Sequence, residues 1–168
     1  MAEEYFDVVD DQDHVIDRLP RAEVHARGLK HRATHIFLFN GNGQLFLQKR
    51  SMSKDCFPGL WDSSAAGHVD PGESYDACAE RELQEELSAS PSITLERLFK
   101  VDACEATGWE FVWLYRGISD GPFVLQESEV ETGAWFDLPI LEAWMRRNPE
   151  AFAPSFPLLW ERYRSAAG

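Results

Sequence analysis

The sequence predicts an α+β fold on the strength of three features. Short runs of apolar and β-branched residues, bounded by turn-forming residues, recur along the chain and are typical of strands. One long stretch with helical spacing, residues 74–87, lies between these strands, and further helical patterns follow the last of them. No internal repeat or low-complexity linker interrupts the chain, so its 168 residues are expected to form a single domain.

The first 30 residues are expected to be an N-terminal extension that packs on the core. Residues 5–9 read as a strand, and residues 15–18 could return as its partner after an acidic turn. Pro20 can start a short helix over residues 21–27, which Gly28 would end.

Residues 31–137 form the predicted core. The predicted strands are residues 34–40, 44–49, 60–67, 95–104, 110–116 and 131–136. Gly41-Asn42-Gly43 predicts a hairpin turn, and residues 50–59 predict a long charged loop. In the second strand, apolar residues occur on both alternating faces, which indicates that both faces are partly covered. Residues 138–168 should add helices, the last of which could cover the sheet or a dimer partner.

The composition excludes several classes of function. The chain carries 29 acidic and 16 basic residues, a formal charge of −13, which argues against a nucleic-acid polymer or an anionic membrane as partner. No apolar run approaches the ~18 residues of a membrane span, and the acidic N-terminus is unlike a signal peptide. Three widely spaced cysteines without a C-x-x-C motif favour reduced thiols, so we expect a cytoplasmic protein.

The helix after Ser74 carries the most informative cluster. Ser74 can cap this helix, which runs to about Leu87. Glu82, Glu85 and Glu86 fall on one helix face, where three like charges are unfavourable unless a cation lies between them. Carboxylate oxygens suit Mg²⁺ or Mn²⁺, and Mg²⁺ commonly shares its ligands with substrate phosphates. The alternative is an exposed acidic helix face.

The spacing of these residues resembles the Nudix box, G-x5-E-x7-R-E-U-x-E-E-x-G-U, where U is a bulky aliphatic residue. The matching residues are Gly67, Glu73, Arg81, Glu82, Leu83, Glu85 and Glu86. Ser88 replaces the final glycine and Ala89 the last aliphatic, so we expect a helix exit of different shape but an intact metal site.

This resemblance implies a fold and a set of roles for residues 67–89. The Nudix fold is an α/β/α sandwich around a mixed sheet. The family pattern implies metal ligation by Glu82, Glu85, Glu86 and Gly67, with Glu82 as ligand or as base for water. Arg81 could pair with Glu73 and fix the preceding loop against the helix.

Residues 20–137 also resemble a narrower branch, the isopentenyl-diphosphate isomerases and their hydrolase-like relatives. The resemblance lies in the hairpin FLFNGNGQLFLQKR, the loop SKDCFPGLW and the pair Gly67-His68. The isomerases carry a catalytic cysteine just before that pair, and here the position is Ala66, which cannot transfer a proton. The isomerases also lack the full carboxylate cluster, so both differences favour a hydrolase.

The isomerase branch implies a second metal site. His25, His31, His68 and Glu110 lie near the positions of its ligands, and imidazole with carboxylate suits Mn²⁺ or Zn²⁺. The alternative is that His25 and His31 are surface histidines beside a basic turn. In either case, His68 is expected near the substrate because it follows the box glycine.

Several further residues are candidates for substrate binding. Lys49, Arg50 and Lys54 flank the cleft in the resembling families and are expected to bind the diphosphate. Three aromatic residues could stack on a base or a prenyl group or belong to the core: Phe57, Trp61 and Trp109. In many Nudix enzymes a glutamate in the region of residues 127–131 helps to bind metal or water. By this resemblance Glu129 is the candidate here, and the alternative is that residues 127, 129 and 131 belong to an exposed acidic loop.

The sequence therefore predicts a Mg²⁺- or Mn²⁺-dependent Nudix hydrolase that acts on a small-molecule diphosphate. Two alternatives stay open: an isomerase of isopentenyl diphosphate, and a Nudix module that binds a nucleotide without turnover. Neither the substrate nor the oligomeric state can be read from the sequence, although a homodimer is compatible with the apolar C-terminal helix.

Overall fold

The computed structural model describes residues 2–167. Within them the strands are β1 (Tyr5–Val9), β2 (Val15–Pro20), β3 (His31–Phe39), β4 (Leu45–Arg50), β5 (Trp61–Asp62), β6 (Ala65–His68), β7 (Glu96–Val101), β8 (Glu110–Ile118) and β9 (Val130–Phe136). The α-helices are α1 (Arg21–Arg27), α2 (Tyr75–Leu87), α3 (Leu138–Arg147) and α4 (Ser155–Ala167). Short 3₁₀ helices lie at Glu105–Thr107 and Pro149–Ala151. Among the described residues no helix is long and apolar enough to cross a membrane.

Seven strands form a mixed sheet in the order β5-β4-β3-β8-β7, with β6 paired to β3 and β9 paired to β4. The pair β3–β8 is parallel and runs from His31 opposite Glu110 to Phe39 opposite Ile118. The pairs of β4, β6, β7 and β9 with their neighbours are antiparallel. The parallel pair places the N-terminal ends of β3 and β8 side by side, next to β6.

The strand predicted at residues 60–67 is two strands, which corrects the sequence prediction. β5 pairs with β4, and β6 pairs with β3. Between them, the Ser64 hydroxyl accepts the backbone N–H of Leu38 at 2.8 Å and donates to the Phe46 carbonyl. The serine side chain thus satisfies backbone groups where β3 and β4 separate, and this lets the chain change partner strands.

Helices cover both faces of the sheet. The side chains of Ile36 and Leu38 pack in one core with those of Leu83 and Leu87 of α2. On the opposite face, the core consists largely of aromatic and aliphatic residues of β3, β4, α3 and α4, among them Phe37, Phe39, Leu45, Leu47, Leu141, Phe156, Leu159 and Trp160. The α+β class and the α/β/α sandwich predicted from the sequence are confirmed.

The C-terminal helix covers the sheet rather than exposing an apolar face. Phe156 and Leu159 are fully buried, and the ring of Phe37 lies 5.8 Å from those of both Phe156 and Trp160. Burial of side chains of this size contributes roughly 1.5–3 kcal/mol each. The homodimer therefore remains a prediction, to which this helix gives no particular support.

Helix α2 begins as predicted and ends differently. The Ser74 side chain accepts the N–H of Ala77 at 3.1 Å and caps the helix. At the other end, Ser88 adopts the left-handed conformation, φ 49° and ψ 37°, and its N–H donates to the Gln84 carbonyl. The expectation of a differently shaped exit was wrong, because serine takes the conformation usually given to glycine, at a cost of about 1 kcal/mol or more.

The N-terminal hairpin of β1 and β2 packs against the loop that precedes α2. The Asp7 carboxylate accepts the Gly72 N–H at 2.8 Å and an N–H of Arg18 at 3.1 Å. The buried Asp13 carboxylate accepts from Arg32, Tyr75 and Lys100. These contacts hold the hairpin of β1 and β2, with its turn, against β3, β7 and the start of α2.

Candidate active site

Two cavities meet at strand β6. The first, the acidic cavity, has a volume of about 160 Å³ and contains Glu82, Glu85 and Glu86 in its wall. The second, the histidine cavity, has a volume of about 280 Å³ and contains His25, His68 and Glu110. The residues that line both are Arg21, Lys54, Ala66, Gly67 and His68. The backbone of Gly67-His68 therefore forms a common wall of the two cavities.

Glu86 is the most deeply placed carboxylate of the acidic cavity. Its side chain is buried, and one oxygen, Oε1, accepts the Gln48 Nε2–H at 3.0 Å and the Ala66 N–H at 2.8 Å. Burial, reinforced by the nearby Glu82 carboxylate, raises the pKa of Glu86 to about 8. A buried carboxylate with this pKa is suited to hold a cation, whose charge would favour the ionised form.

Glu82 and Glu85 share one guanidinium partner. Arg81 Nη1 donates to Glu82 Oε1 at 2.8 Å and to Glu85 Oε2 at 3.2 Å. Burial raises the pKa of Glu82 to about 7 against the opposing effect of Arg81. Glu85 is far more exposed, and its carboxylate lies at the rim of the cavity. The three carboxylates thus line one cavity at different depths, and a shared cation would need their side chains to turn toward one point.

Gly67 is required by the packing of β6 against α2. A Cβ atom built at this position would lie 2.0 Å from Cδ of Glu82, far inside contact distance. The missing side chain therefore leaves the space that the Glu82 carboxylate occupies.

Arg81 ties the loop before α2 to the helix, as the sequence predicts. Its Nε and Nη2 donate to the two oxygens of Glu73 at 2.8 and 2.9 Å, a bidentate pair. Nη2 also donates to the carbonyl of His68 at 3.0 Å. The two hydrogen bonds that Arg81 donates to Glu73 lower the pKa of this carboxyl group and favour its ionised form. Arg81 thereby fixes the position of β6, the loop and the carboxylates relative to one another.

The histidine cavity brings together residues from four elements. Ligand atoms of His25 (α1), His31 (β3) and His68 (β6) all lie within 4.8 Å of one another. Glu110 of β8 places Oε2 3.0 Å from His68 Nε2 and 3.7 Å from His31 Nε2. Phe6 packs against the cluster, with its ring parallel to that of His31 at 5.2 Å.

Burial favours the neutral form of two of these histidines: His68, which lines the cavity, and His31, which lies buried behind the lining. His31 is 1% exposed, so its interpretation as a surface histidine was wrong. Burial lowers the pKa of His31 to about 4, and burial together with the Arg21 charge lowers that of His68 to about 3. His31 Nδ1 is held by the Leu29 carbonyl at 2.8 Å, whereas Nε2 is buried and finds no hydrogen-bond partner among residues 2–167. Neutral imidazoles with a free nitrogen beside a carboxylate fit a transition-metal ion.

The three predicted phosphate-binding cations have different surroundings. Lys54 lines both cavities and pairs with Glu129, which itself lines the acidic cavity. Arg50 lines the histidine cavity, and its Nε donates to the Cys56 carbonyl at 3.0 Å. Lys49 is absent from the lining of both cavities and lies 3.5 Å from Glu131. The structure therefore places Arg50 and Lys54, but not Lys49, in the lining of the cavities.

Arg21 and Gln48 are site residues that the sequence analysis missed. Arg21 lines both cavities and donates to Glu4 at 3.2 Å and to Asp55 at 3.0 Å. Gln48 is buried beneath Glu86. Arg21 could have been found in part, because the sequence predicts α1 with its observed bounds and predicts that the N-terminal extension packs on the core. Nothing in the sequence around Gln48 indicates its contact with Glu86, which depends on the pairing of distant segments.

The candidate stacking aromatics also separate into two groups. Phe57 and Trp109 line the histidine cavity and are 46% and 39% exposed. Trp61 packs in the core against Phe136 and Trp144, so it is unavailable for stacking on a ligand. Ala66, at the position where the resembling isomerases carry a cysteine, lines both cavities and has no ionisable side-chain group.

Comparisons with known proteins show which family the chain resembles. The NUDIX domain family matches residues 29–156. An uncharacterised Nudix hydrolase of Yersinia pestis is 34% identical over 165 residues, covering 88% of each chain. The isopentenyl-diphosphate Delta-isomerase of Serratia proteamaculans is 37% identical over 152 residues, covering 89% of this chain and 85% of its own.

The similarity extends to solved structures. The crystal structure of DR0079 from Deinococcus radiodurans superposes with a TM-score of 0.77 at 29% identity, covering 86% of this chain and 90% of the other. The NUDIX domain of NrtR from Shewanella oneidensis, solved with ADP-ribose, gives a TM-score of 0.64 at 22% identity, covering 89% of this chain and 100% of the other. On the evidence of its fold, its carboxylate cavity and these relatives, the chain belongs to the Nudix hydrolase family.

Proposed function

We propose that this protein is a Mg²⁺- or Mn²⁺-dependent hydrolase that cleaves the diphosphate of a small organic molecule. The observation that carries the proposal is the acidic cavity, in which three glutamates of one helix line the same space beside the backbone of Gly67. Two of these carboxylates have pKa values raised to about 7 and about 8 because they are buried without a full complement of positive charge. A divalent cation would supply that charge.

The residues that would hold the metal are Glu82, Glu85, Glu86 and the carbonyl of Gly67. When bound, a divalent ion there neutralises phosphate charge and lowers the pKa of a water molecule. The protein contributes the position of the carboxylates, which Arg81, Gln48 and the Ala66 N–H hold by hydrogen bonds.

Glu82 is also the best-placed acceptor for a proton from water. Its carboxylate lies in the cavity wall, and its pKa of about 7 matches what a general base needs near neutral pH. A bound metal would lower this pKa, so Glu82 could then serve as ligand instead, and the two roles are alternatives.

Cations of the shared wall would orient the substrate's phosphates. Lys54 and Arg21 line both cavities, and Arg50 lines the adjoining one. In a chain with a formal charge of −13, this local group of positive side chains offers an anionic substrate a favourable entry. The acidic cavity would take the diphosphate, and the larger histidine cavity would take the organic group.

The histidine cavity would hold a second metal ion, as the isomerase resemblance implies. Three neutral imidazoles and Glu110 supply the donor set, and the unpartnered Nε2 of His31 is the atom that such an ion would satisfy. We assign this centre to substrate binding and structure, because the carboxylates suited to hydrolysis lie in the other cavity.

Isomerisation of isopentenyl diphosphate is the second candidate, since a relative with that name is 37% identical. The isomerase reaction needs groups that deliver and remove protons at an alkene. Ala66 lines both cavities but offers no ionisable group. Formation of dimethylallyl diphosphate from isopentenyl diphosphate by the purified protein would establish this function, and its absence would exclude it.

A phosphate-release screen tests the hydrolase proposal. The panel comprises nucleoside triphosphates, nucleotide sugars, ADP-ribose, dinucleoside polyphosphates, NADH, coenzyme A and prenyl diphosphates, each with Mg²⁺ and with Mn²⁺. Glu86→Gln should lose turnover, whereas Glu127→Gln, a change at an exposed glutamate outside both cavities, should keep it. Tight nucleotide binding without turnover of any compound would favour the binding-module alternative.

A further inference from the structure

The mouth of the histidine cavity holds a second group of potential metal ligands that the Nudix chemistry does not use. Ligand atoms of His25, Asp55 and Cys56 all lie within 4.8 Å of one another. His25 belongs to α1, whereas Asp55 and Cys56 belong to the loop between β4 and β5. His25 and Cys56 line the cavity, whereas Asp55 is absent from its lining and is exposed, so the group lies where the cavity opens to solvent.

The donor atoms of this group differ in kind from those of the two sites described above. A thiolate, an imidazole and a carboxylate together favour Zn²⁺ over Mg²⁺, because sulfur and nitrogen are softer ligands than oxygen. Ligand atoms on one tetrahedral zinc ion lie roughly 3.3–3.8 Å apart, since the bonds are about 2.0–2.3 Å long. The ligand atoms of this group lie within 4.8 Å of one another, so side-chain shifts of at most about 1.5 Å would bring them onto one ion.

The loop is held in place before any ion binds. The Arg50 N–H donates to the Leu60 carbonyl at 2.8 Å, and the Gly59 N–H donates back to the Arg50 carbonyl at 3.0 Å. Arg50 Nε also donates to the carbonyl of Cys56 at 3.0 Å. Because the backbone of the loop is already ordered, metal binding would lose less conformational entropy.

Asp55 is also fixed, by a residue of the same helix that carries His25. Arg21 Nη2 donates to both Asp55 oxygens, at 3.0 and 3.3 Å. This pair links the loop to α1 and holds the carboxylate beside His25. The positive charge of the Arg21 guanidinium repels a metal ion bound to Asp55. Asp55 is therefore the weakest of the three ligands, and the His25 imidazole and the Cys56 thiolate are the stronger ones.

We propose that His25, Asp55 and Cys56 form a Zn²⁺ site at the mouth of the histidine cavity, distinct from the three-histidine group. The two groups share His25, so a soft metal that engages the thiolate competes with the three-histidine centre for that ring. With three protein ligands, the ion keeps an open position for water or for a group of the substrate. Its binding would join α1 to the loop across the cavity mouth.

Cobalt(II) substitution tests the proposal without any assay of activity. Co²⁺ bound to a thiolate produces an intense charge-transfer band in the near ultraviolet, whereas histidine and carboxylate ligands do not. We expect this band in the wild-type protein titrated with Co²⁺, and we expect Zn²⁺ to abolish it by displacement. We expect no such band in Cys56→Ser or His25→Gln.

Two control variants separate this site from its neighbours. Cys104→Ser removes the other partly buried cysteine and should keep the band. His31→Gln breaks the three-histidine group but leaves the proposed ligands intact, and it should also keep the band. Thermal unfolding of each metal-free variant establishes that it is folded.

The proposal is overturned if the wild-type protein shows no thiolate band, or if Cys56→Ser retains it. Loss of the band in Cys104→Ser would show that the bound thiolate belongs to Cys104, which would contradict the assignment of Cys56. Loss of the band in folded His31→Gln would make the site a part of the three-histidine centre. None of these results depends on whether the protein hydrolyses a diphosphate.

Discussion

The acidic cavity and the histidine cavity share a wall at Gly67-His68, yet they are built in different ways. The carboxylates of the first come from one helix, at positions separated by three residues and by one. The ligands of the second come from α1, β3, β6 and β8, which are spread from residue 25 to residue 110. The first can be recognised from local spacing, whereas the second exists only once β3 has paired with both β6 and β8.

The two cavities also handle charge differently. The acidic cavity concentrates negative charge, and burial raises the pKa of Glu82 and Glu86. The histidine cavity keeps its imidazoles neutral, because burial lowers the pKa of His31 and His68. The former is therefore suited to a hard cation with phosphate oxygens, and the latter to a softer metal.

Apart from replacement of the carboxylates themselves, the largest effect should come from filling the space that the Glu82 carboxylate occupies. In Gly67→Ala the new Cβ would displace the far end of the Glu82 side chain, which can rotate away at little cost in stability. Displacement of the carboxylate by about 1 Å or more should lower the hydrolysis rate by about 100-fold. Steady-state kinetics together with urea unfolding measure both effects. A variant that is active but unfolds readily would contradict this explanation of Gly67.

Replacing Arg81 should weaken the link between the loop, β6 and α2. Arg81→Lys loses the bidentate pair with Glu73, so we expect the free energy of unfolding to fall by about 2 kcal/mol. Arg27→Lys is the matched control, since Arg27 makes an exposed pair with Glu23 and should change stability little. Equal losses in the two variants, measured by urea denaturation, would show that the bidentate geometry is unimportant.

Two lysines that lie close in sequence, one in the lining of the cavities and one outside both, should differ in their effect on substrate affinity. Lys54→Ala removes a cation that lines both cavities and should raise KM for a diphosphate substrate by about tenfold, which is 1.4 kcal/mol. Lys49→Ala removes a lysine that lies outside both and pairs with Glu131 at the surface, so KM should stay near the wild-type value. The opposite ranking would restore the prediction made from the sequence for Lys49.

The smallest effect is a pH dependence of stability in the metal-free protein. The folded-state pKa values of Glu82 and Glu86, about 7 and about 8, lie above the ordinary value of 4.5. The native state therefore binds more protons than the unfolded state above pH 4.5, and stability falls as the pH rises through the folded pKa values. His31 and His68 act in the opposite direction, because burial lowers their pKa and only the unfolded state is still partly protonated at these two residues near pH 6.5. Their contribution partly offsets that of the glutamates and ends by about pH 8.

Between pH 6.5 and pH 8 we expect a loss on the order of 1 kcal/mol in the free energy of unfolding. Glu86→Gln should reduce this slope, because the amide does not titrate. Mn²⁺ should reduce it as well, by favouring the ionised carboxylates. A slope that is unchanged in Glu86→Gln would mean that other groups cause it. Urea unfolding at a series of pH values supplies the measurement.

The parts of the fold with local signals could be predicted from the sequence. The bounds of α1, the cap at Ser74 and the hairpin after β3 follow from proline, glycine and serine at defined positions. The break between β5 and β6 could not be predicted, because it depends on the Ser64 hydroxyl reaching two neighbouring strands. The left-handed Ser88 was also missed: its own side chain is exposed, and the buried residues on either side of it, Leu87 and Ala89, give no local signal for that backbone conformation.

The same distinction applies to the site. The contact of Arg81 with Glu73 follows from the spacing of a loop and a helix. By contrast, Gln48 reaches Glu86 and Arg21 reaches the cavity wall only through the packing of separate elements. Lys49 and Lys54 lie close in sequence, but strand pairing directs one toward Glu131 and the loop brings the other to the cavities. Residue type alone could not distinguish them.

The most direct test is a comparison of Glu86→Gln with His31→Gln on the first diphosphate found to be hydrolysed with Mg²⁺. If the acidic cavity carries out hydrolysis, Glu86→Gln should lose more than roughly 100-fold in rate, since even residues behind a metal ligand contribute about 10–100-fold. His31→Gln, with its fold checked by circular dichroism, should stay within about tenfold of the wild-type rate. The reverse result, activity in Glu86→Gln and none in folded His31→Gln, would place the chemistry in the histidine cavity and contradict our account.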